Sequence, residues 1–158
     1  MTPTRLIDVV TLRMGGEMMA LPASIVRKIL EPVPISRVPL ADDFSGGLIN
    51  VRGTIVPLAD LKVAFGMSTT AETQDTRFLV LDIKVENEEI TAGVVADKVH
   101  DVIAIDEALI ENIPSMGMAW APELVRGVVK WQGAFMFLPN LETVFSQAIA
   151  RCASAGSY

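Results

Sequence analysis

Short runs of apolar residues, broken by glycines, prolines and polar turns, set the pattern of this chain. The runs over 7–14 and 17–21 stand on either side of Gly15-Gly16, and a Gly-Gly pair between two such runs is typical of a β-hairpin. The pattern therefore favours a chain built mainly from short β-strands. Further strands are predicted over 23–30 after an initial turn, and over 48–51, 54–58, 77–85 and 90–105.

The second half of this pattern repeats the first. Residues 47–66 (GLINVRGTIVPLADLKVAFG) align without a gap with residues 127–146 (GVVKWQGAFMFLPNLETVFS) at a shift of 80 positions. A weaker match relates 9–30 to 79–103. Such self-similarity indicates one supersecondary unit that is used more than once. The identical pairs are Gly47/Gly127, Gly53/Gly133, Leu58/Leu138, Leu61/Leu141 and Phe65/Phe145.

Each copy ends in the signal for a short helix. Asp60 and Asn140 occupy the same position of the repeat, and both side chains are good N-caps. Gly66 is placed to end the first helix. The repeated glycines are predicted to occupy backbone positions where a side chain would clash. They are Gly47, Gly53, Gly127 and Gly133.

Many short strands with few helices predict small β-barrels, and the duplication makes two of them. Two similar units side by side create a groove, which is a binding surface. We expect one domain over 1–150. Its two expected units lie near 9–66, with crossing strands, and near 77–146, and a polar link over 67–76 joins them. The first unit contains a connector with Pro32, Pro34 and Pro39, and the second contains a loop over 114–122. A flexible tail is expected over 151–158.

Composition limits the possible functions. Apolar residues are 51% of the 158 residues, enough to bury a core. The net charge of −6 and the scattered basic residues argue against nucleic acid. The single cysteine, Cys152, fits a reducing cytoplasm. No signal peptide is visible, and no apolar run approaches the roughly 18 residues of a spanning helix. If the protein works at a membrane, we therefore expect a partner to recruit it there, without direct insertion.

Catalysis and cofactor binding find little support in the residues. His100 is the only histidine, so a histidine-based triad or multi-histidine metal site lacks a second such residue. The chain has no Walker loop, and its glycines do not fit GxGxxG. Asp97 and Asp101 can be read as paired carboxylates, but solvated turn and edge residues are the commoner case. We predict no catalytic residue, no metal and no cofactor.

Arg52 is the residue that the pattern singles out. It follows an apolar run and precedes Gly53, so its guanidinium projects from a tight turn between two strands. An arginine at such a turn is also a common surface residue. Spacing alone leaves both interpretations open.

The stretch around Arg52 resembles the CheW family of chemotaxis coupling proteins. A glycine and an apolar pair precede Asn50-x-Arg52-Gly53, and apolar residues, Pro57 and Asp60-Leu61 follow it. The resemblance extends from about Val9 to Phe145, through FLVLDIKV, AGVVADKVHDVI and LVRGVVKWQGAFMFLPNL. It covers nearly the whole chain.

The resemblance implies two SH3-like five-stranded β-barrels and a non-catalytic adaptor. The partners it implies are a CheA-type histidine kinase, bound through its regulatory domain, and the cytoplasmic tips of methyl-accepting chemoreceptors. An apolar groove would receive the receptor helices while a charged group fixes their register. The implied receptor-facing residues are Ile29, Arg52, Val99 and Val102, with Lys28 beside them. Val26 and Gly47 match positions linked to kinase or receptor coupling.

Lys28 departs from the family pattern. The family commonly has an acid there, which can pair with the arginine at position 52. Because both positions are cationic here, we expect Arg52 to meet Glu31 or an acidic residue of the receptor. The partner set of this chain would then be distinct.

Two other functions stay open at this point. A coupling protein of a related pathway, with pili, gliding or another output, would share the fold. A small β-barrel enzyme or ligand-binding domain would need a pocket with convergent polar groups. A stand-alone protein is the simpler expectation, although a module of a larger kinase or receiver-bearing coupler is also possible.

Overall fold

The computed structural model describes residues 5–38, 46–68, 71–112 and 122–155, with side chains described through 149. This part of the chain is mainly β-structure with short helices, which confirms the predicted class. The strands are β1 (Leu6–Met14), β2 (Glu17–Pro22), β3 (Val26–Leu30), β4 (Ser36–Arg37), β5 (Gly47–Val51), β6 (Thr54–Ala59), β7 (Arg77–Val85), β8 (Glu88–Ala96), β9 (Lys98–Asp106), β10 (Val125–Trp131) and β11 (Ala134–Pro139). The helices are α1 (Leu61–Ala64) and α2 (Leu141–Ala155), with 3₁₀ turns at Ala23–Ile25, Glu107–Leu109 and Pro122–Leu124.

The strands form two sheets, and each sheet combines both copies of the repeat. Sheet A has the order β10-β11-β2-β1-β9, and sheet B has the order β3-β7-β8-β6-β5-β4. In chain order, β1, β2, β3, β5, β6 and α1 of the first copy correspond to β7, β8, β9, β10, β11 and α2 of the second. Each sheet takes the first hairpin of one copy and the three corresponding later strands of the other. Sheet B also contains the two-residue strand β4, so it has six strands where five were expected. The link near 66–77 lies between the two copies in the sequence. It does not divide the chain into the two sheets, because each sheet contains strands from before and after it.

The joins between the copies are the same in both sheets. The hairpin β1–β2 pairs with β9 antiparallel on one side and with β11 parallel on the other. The hairpin β7–β8 pairs with β3 antiparallel and with β6 parallel. The predicted internal repeat is therefore a structural repeat with exchanged strands.

Three apolar clusters explain this arrangement. One cluster is drawn from all five strands of sheet A and includes Val9, Val129 and Met136. A second lies on sheet B and includes Ile49 and Phe78. Each sheet therefore curls around its own interior, as small barrels do. We call the third cluster the central core, because it combines both sheets and both α-helices, and burial there holds the two barrels together.

The four hairpin turns share one geometry. Gly15-Gly16, Glu86-Asn87, Arg52-Gly53 and Gln132-Gly133 all have positive φ at both central residues. This is the type I′ turn, whose twist matches that of the strands it joins. The Gly-Gly hairpin and the turn at Arg52-Gly53 are confirmed. Position 53 needs glycine because its φ is 87°.

Both predicted helix caps are confirmed. The Asp60 carboxylate accepts a hydrogen bond from Lys62 N–H at 3.0 Å, and the Asn140 side-chain oxygen accepts one from Thr143 N–H at 3.1 Å. Gly66 adopts φ 68° just after α1, as a helix stop does. The strand region predicted over 90–105 divides into β8 and β9 at Asp97.

The segment after α2 differs from expectation. Helix α2 continues through Ala155, so residues 151–155 are helical where we expected a flexible tail. Alanine is the strongest helix former, and this segment is rich in it. The predicted loop over 114–122, apart from Pro122, and the connector residue Pro39 lie outside the described residues. No helix in the described residues is long and apolar enough to cross a membrane.

Candidate functional site

The end strand of sheet A, β9, contains a bulge. Val99 pairs with Leu12 and Val102 pairs with Val10, so two residues of β9 stand opposite the single residue Thr11. Paired residues of neighbouring strands point to the same side of a sheet. Because Val10 and Leu12 belong to the central core, the bulge turns both Val99 and Val102 to the central-core side.

Thr11 holds this bulge through its side chain. Its hydroxyl donates a hydrogen bond to the Asp101 carbonyl oxygen at 2.9 Å and accepts one from the Asp101 N–H at 3.0 Å. Thr11 is buried. A buried hydroxyl therefore satisfies the backbone groups of the extra residue in β9.

The end strand of sheet B, β3, has the matching bulge. Val26 pairs with Leu81 and Ile29 pairs with Leu79, with a register shift between them opposite Val80. Leu79 and Leu81 belong to the central core. Val26 and Ile29 therefore face the central-core side, as Val99 and Val102 do from the other sheet.

These four residues differ in their distance from the core. Val26 and Val99 are half-buried and pack against the central core, one from each sheet. Ile29 is 44% exposed and Val102 is 62% exposed. Each end strand thus carries an anchored apolar residue followed, three positions later, by an exposed one on the same face. We call Val26, Ile29, Val99 and Val102 the edge set.

Lys28 does not lie on the face of the edge set. It pairs with Val80, whose neighbours Leu79 and Leu81 point to the opposite side of β7. Lys28 therefore shares a face with Leu30, which packs against the sheet B interior. The prediction grouped Lys28 with Ile29, and sequence adjacency obscured the fact that neighbouring strand residues point to opposite faces.

Arg52 belongs to neither end strand and occupies the first central position of the β5–β6 turn. It is exposed and holds φ 51°, a left-handed conformation that costs a side-chain-bearing residue about 1 kcal/mol. The Asn50 side-chain oxygen accepts a hydrogen bond from Gly53 N–H at 2.7 Å and fixes the turn. The expected Arg52–Glu31 ion pair is absent from the described residues, which leaves the receptor as the proposed acidic partner.

Gly47 of β5 and Gly127 of β10 occupy corresponding positions of the repeat and meet corresponding segments. A Cβ at Gly47 would lie 2.8 Å from Ile35 Cγ2. A Cβ at Gly127 would lie 2.5 Å from Ile110 Cγ2 and 2.8 Å from the Glu111 carbonyl oxygen. Both glycines therefore allow close approach of the preceding segment, which confirms the predicted clash at these two positions. At Gly53 and Gly133 the predicted clash is wrong, because no described residue beyond the adjacent ones has an atom within 4 Å of an added Cβ, and positive φ is the reason for glycine there.

The sequence did not indicate the partly buried ion pair between Lys62 of α1 and Asp97. The Lys62 side chain is 3% exposed, and its Nζ lies 2.8 Å from Asp97 Oδ1. The second oxygen, Asp97 Oδ2, accepts a hydrogen bond from Gly15 N–H at 2.8 Å. Asp97 is therefore not the solvated turn residue that we expected, and it pairs with a lysine and not with Asp101. A charged residue directly after a helix cap looks like an exposed one in the sequence.

A cavity of about 320 Å³ opens beside the β9 bulge. Asp101 of the bulge and Gln132 of the β10–β11 turn both line it, together with His100 and Trp131. Their counterparts in the other copy are Lys28 and Arg52. In sheet A, the bulge of β9 and the β10–β11 turn therefore lie around one opening. The described residues contain no group of three or more His, Cys, Asp or Glu side chains that could hold a metal.

Known proteins resemble the chain over most of its length. Residues 8–148 match the model of the CheW-like domain. The chemotaxis protein CheW of Helicobacter pylori is 32% identical over 100 residues, which cover 63% of this chain and 58% of that protein. The chemotaxis protein CheW of Rhizobium meliloti is 25% identical over 138 residues, 87% of this chain and 86% of that protein.

A solved structure agrees with these matches. The scaffolding protein TtCheW of Thermoanaerobacter tengcongensis superposes with a TM-score of 0.79 at 28% identity, covering 91% of this chain and 90% of that one. The likeness confirms the expected pair of SH3-like β-subdomains. The chain therefore belongs to the CheW-like domain family and has the general role of a chemotaxis coupling adaptor.

Proposed function

We propose that this adaptor is non-catalytic and holds a CheA-type histidine kinase against the cytoplasmic tips of methyl-accepting chemoreceptors. It would reside in the cytoplasm and be recruited to receptor arrays at the membrane. The observation that carries this proposal is the edge set in a chain of this family. Two end strands, one from each sheet, present matched apolar residues on the side of a common core.

The edge set suits an amphipathic helix. Such a helix binds by laying an apolar stripe into an apolar groove. Val26 and Val99 are anchored in the central core and form a firm floor, while Ile29 and Val102 remain exposed and lose water contact only on binding. The receptor's helical tip would supply the apolar stripe.

Arg52 would orient the bound helix. A guanidinium binds a carboxylate through two parallel hydrogen bonds, which fixes direction and register. The side chain is exposed, and no described residue forms an ion pair with it. Its unfavourable left-handed backbone supports a functional role, because asparagine or glycine would suit this turn better.

Lys28 would adjust the choice of partner. The cavity that Asp101 and Gln132 line in sheet A supports the view that their counterparts Lys28 and Arg52 stand around one opening of sheet B. Two cations at such an opening favour a receptor with more acidic residues than an acid–arginine pair would select. Lys28→Glu should change the relative affinities for the chain's own receptor and a foreign one. Equal affinities before and after the change would contradict this role.

Kinase coupling would involve sheet B, at positions that include Val26 of the edge set. Val26 and Gly47 are the candidate coupling positions, and both lie in sheet B. Gly47 lets the segment containing Ile35 cross the start of β5, so a side chain there would displace that segment. The net charge of −6 supports protein partners over nucleic acid.

The test is a binding titration with the regulatory half of a CheA-type kinase, run with and without a receptor-tip fragment. We expect Arg52→Ala to weaken receptor binding by about tenfold and to leave kinase binding unchanged. Gln132→Ala, at the matching turn of the other sheet, is the control and should change neither affinity. Failure of the unaltered chain to bind either partner would overturn the proposal.

A further inference from the structure

The two crossings between the sheets are built differently. At each crossing the chain leaves the second strand of a hairpin in one sheet and enters the end strand of the other sheet. Between β2 and β3 the crossing is the 3₁₀ turn at Ala23–Ile25, whose apolar residues pack against the central core. Between β8 and β9 it is the single residue Asp97. One crossing is therefore apolar and the other is charged.

Asp97 connects parts of both sheets. Its Oδ1 accepts from Lys62 Nζ on α1, which directly follows β6 of sheet B, and its Oδ2 accepts from Gly15 N–H in the β1–β2 turn of sheet A. Its own N–H donates to the Arg13 carbonyl oxygen at 2.9 Å. The side chain of Met67, after α1, also lies against Gly15.

This linkage stands at the start of the strand that carries half of the edge set. Asp97 immediately precedes β9, and Val99 is two residues away. As an end strand, β9 is paired on one side by β1. The other copy lacks this linkage, since the position on α2 that matches Lys62 is the exposed acid Glu142. The placement of β9 relative to sheet B therefore depends on a charged contact at the crossing as well as on the packing of Val99, whereas the crossing into β3 is apolar only.

We infer that Lys62 and Asp97 are positioning residues for the receptor groove: their partly buried ion pair sets the separation between β9 and β3, and so the width of the edge set. The inference rests on the proposed function of that set. A buried pair of this kind is weak as a source of net stability, because desolvation offsets much of the attraction, but it is specific in geometry. Without the lysine charge, β9 should take a wider range of positions.

The experiment measures the width of the groove directly, as the distance between two spin labels determined by electron–electron double resonance. Spin labels at Arg27→Cys on β3 and His100→Cys on β9, in a Cys152→Ser chain, report the separation of the two end strands. Lys62→Met keeps the buried stem and removes the charge, while Lys62→Arg restores the charge. Asp97→Asn, which keeps an oxygen for Gly15 N–H, is measured in parallel in case Lys62→Met lowers the folded fraction. Glu142→Met is the matched control on α2.

We expect Lys62→Met and Asp97→Asn to broaden or shift the label distance, while Lys62→Arg and Glu142→Met leave it as in the parent chain. Receptor-tip affinity should fall by about tenfold with kinase affinity unchanged. A lower denaturation midpoint with an unchanged distance distribution would overturn the inference and make the pair structural only. The distance measurement needs no partner, so failure of the proposed function would appear separately, as absence of binding by the parent chain.

Discussion

The end strands β3 and β9 occupy the same place in their sheets, yet the residue opposite each bulge differs. Opposite the β9 bulge stands Thr11, whose hydroxyl bonds the backbone of Asp101. Opposite the β3 bulge stands Val80, beside Lys28. The edge set is apolar on both strands, whereas the extra residues have opposite charges. The duplication thus keeps the same apolar face on both end strands. The extra residues of the bulges are not held to one chemistry, so their charges can differ between the copies and set partner choice.

The largest expected difference between the copies concerns Gly127 and Gly47. Gly127→Ala should lower the free energy of unfolding by about 2–3 kcal/mol, because the new Cβ meets a backbone carbonyl that cannot rotate away. Gly47→Ala should cost only about 1 kcal/mol, since Ile35 is an exposed side chain that can shift. Urea denaturation of the two variants gives both values. A larger cost at Gly47 would show that the segment before β5 is the more rigid one.

The bulges themselves should differ next. Thr11→Val removes both hydrogen bonds to Asp101 and should cost about 2 kcal/mol of unfolding free energy, since a backbone N–H and a carbonyl lose their partner. The reciprocal change, Val80→Thr, should cost less than about 1 kcal/mol, because a hydroxyl there can meet the backbone of the matching bulge. Chemical denaturation measures both. If Val80→Thr cost as much as Thr11→Val, the new hydroxyl would not be bonding the backbone of the β3 bulge, and the two bulges would not be equivalent.

The exposed members of the edge set should affect binding more than stability. Val102→Glu and Ile29→Glu should each lower receptor-tip affinity by about tenfold, since a charge cannot be buried against the apolar stripe of a helix. Their unfolding free energies should stay within about 0.5 kcal/mol of the parent. Leu109→Glu is the control, because Leu109 is 61% exposed but lies outside the edge set. A similar loss of affinity from Leu109→Glu would contradict the assignment of the groove.

The smallest effect is expected at the matched turns. Asparagine tolerates the left-handed conformation, so Arg52→Asn and Gln132→Asn should each raise the unfolding free energy by about 0.5 kcal/mol. Only Arg52→Asn should weaken receptor binding, which isothermal titration can measure. If neither variant is stabilised, the arginine does not carry the conformational cost that we assign to it.

Much of the local structure was predictable from the sequence. Turn residues such as Gly15-Gly16, cap residues such as Asp60, and the apolar phase of each strand act over a few positions, and all of them match the structure. The exchange of strands between copies was not predictable. Because β6 and β11 carry the same apolar pattern, either one satisfies the edge of β2 or of β8 as far as periodicity can tell.

The candidate site was predictable only in part. The residues of the edge set were predicted from the family resemblance. Their common face depends on two bulges, which no turn residue in the sequence indicates. Lys28 was misplaced for the same reason. The burial of Lys62 arises from a contact with Asp97, a residue 35 positions away, which local sequence patterns do not encode.

The exchange of strands has a consequence for how the protein is made. The β1–β2 hairpin leaves the ribosome before the other described strands, but its two neighbours, β9 and β11, are completed only at residues 106 and 139. At about 5–20 residues per second, this hairpin waits for several seconds with both edges open. Sheet B, begun later, has all its strands by residue 96 and can close first. The hairpin of this fold that is made first is therefore the last to be covered, and its unpaired edges stay open to other strands in the meantime.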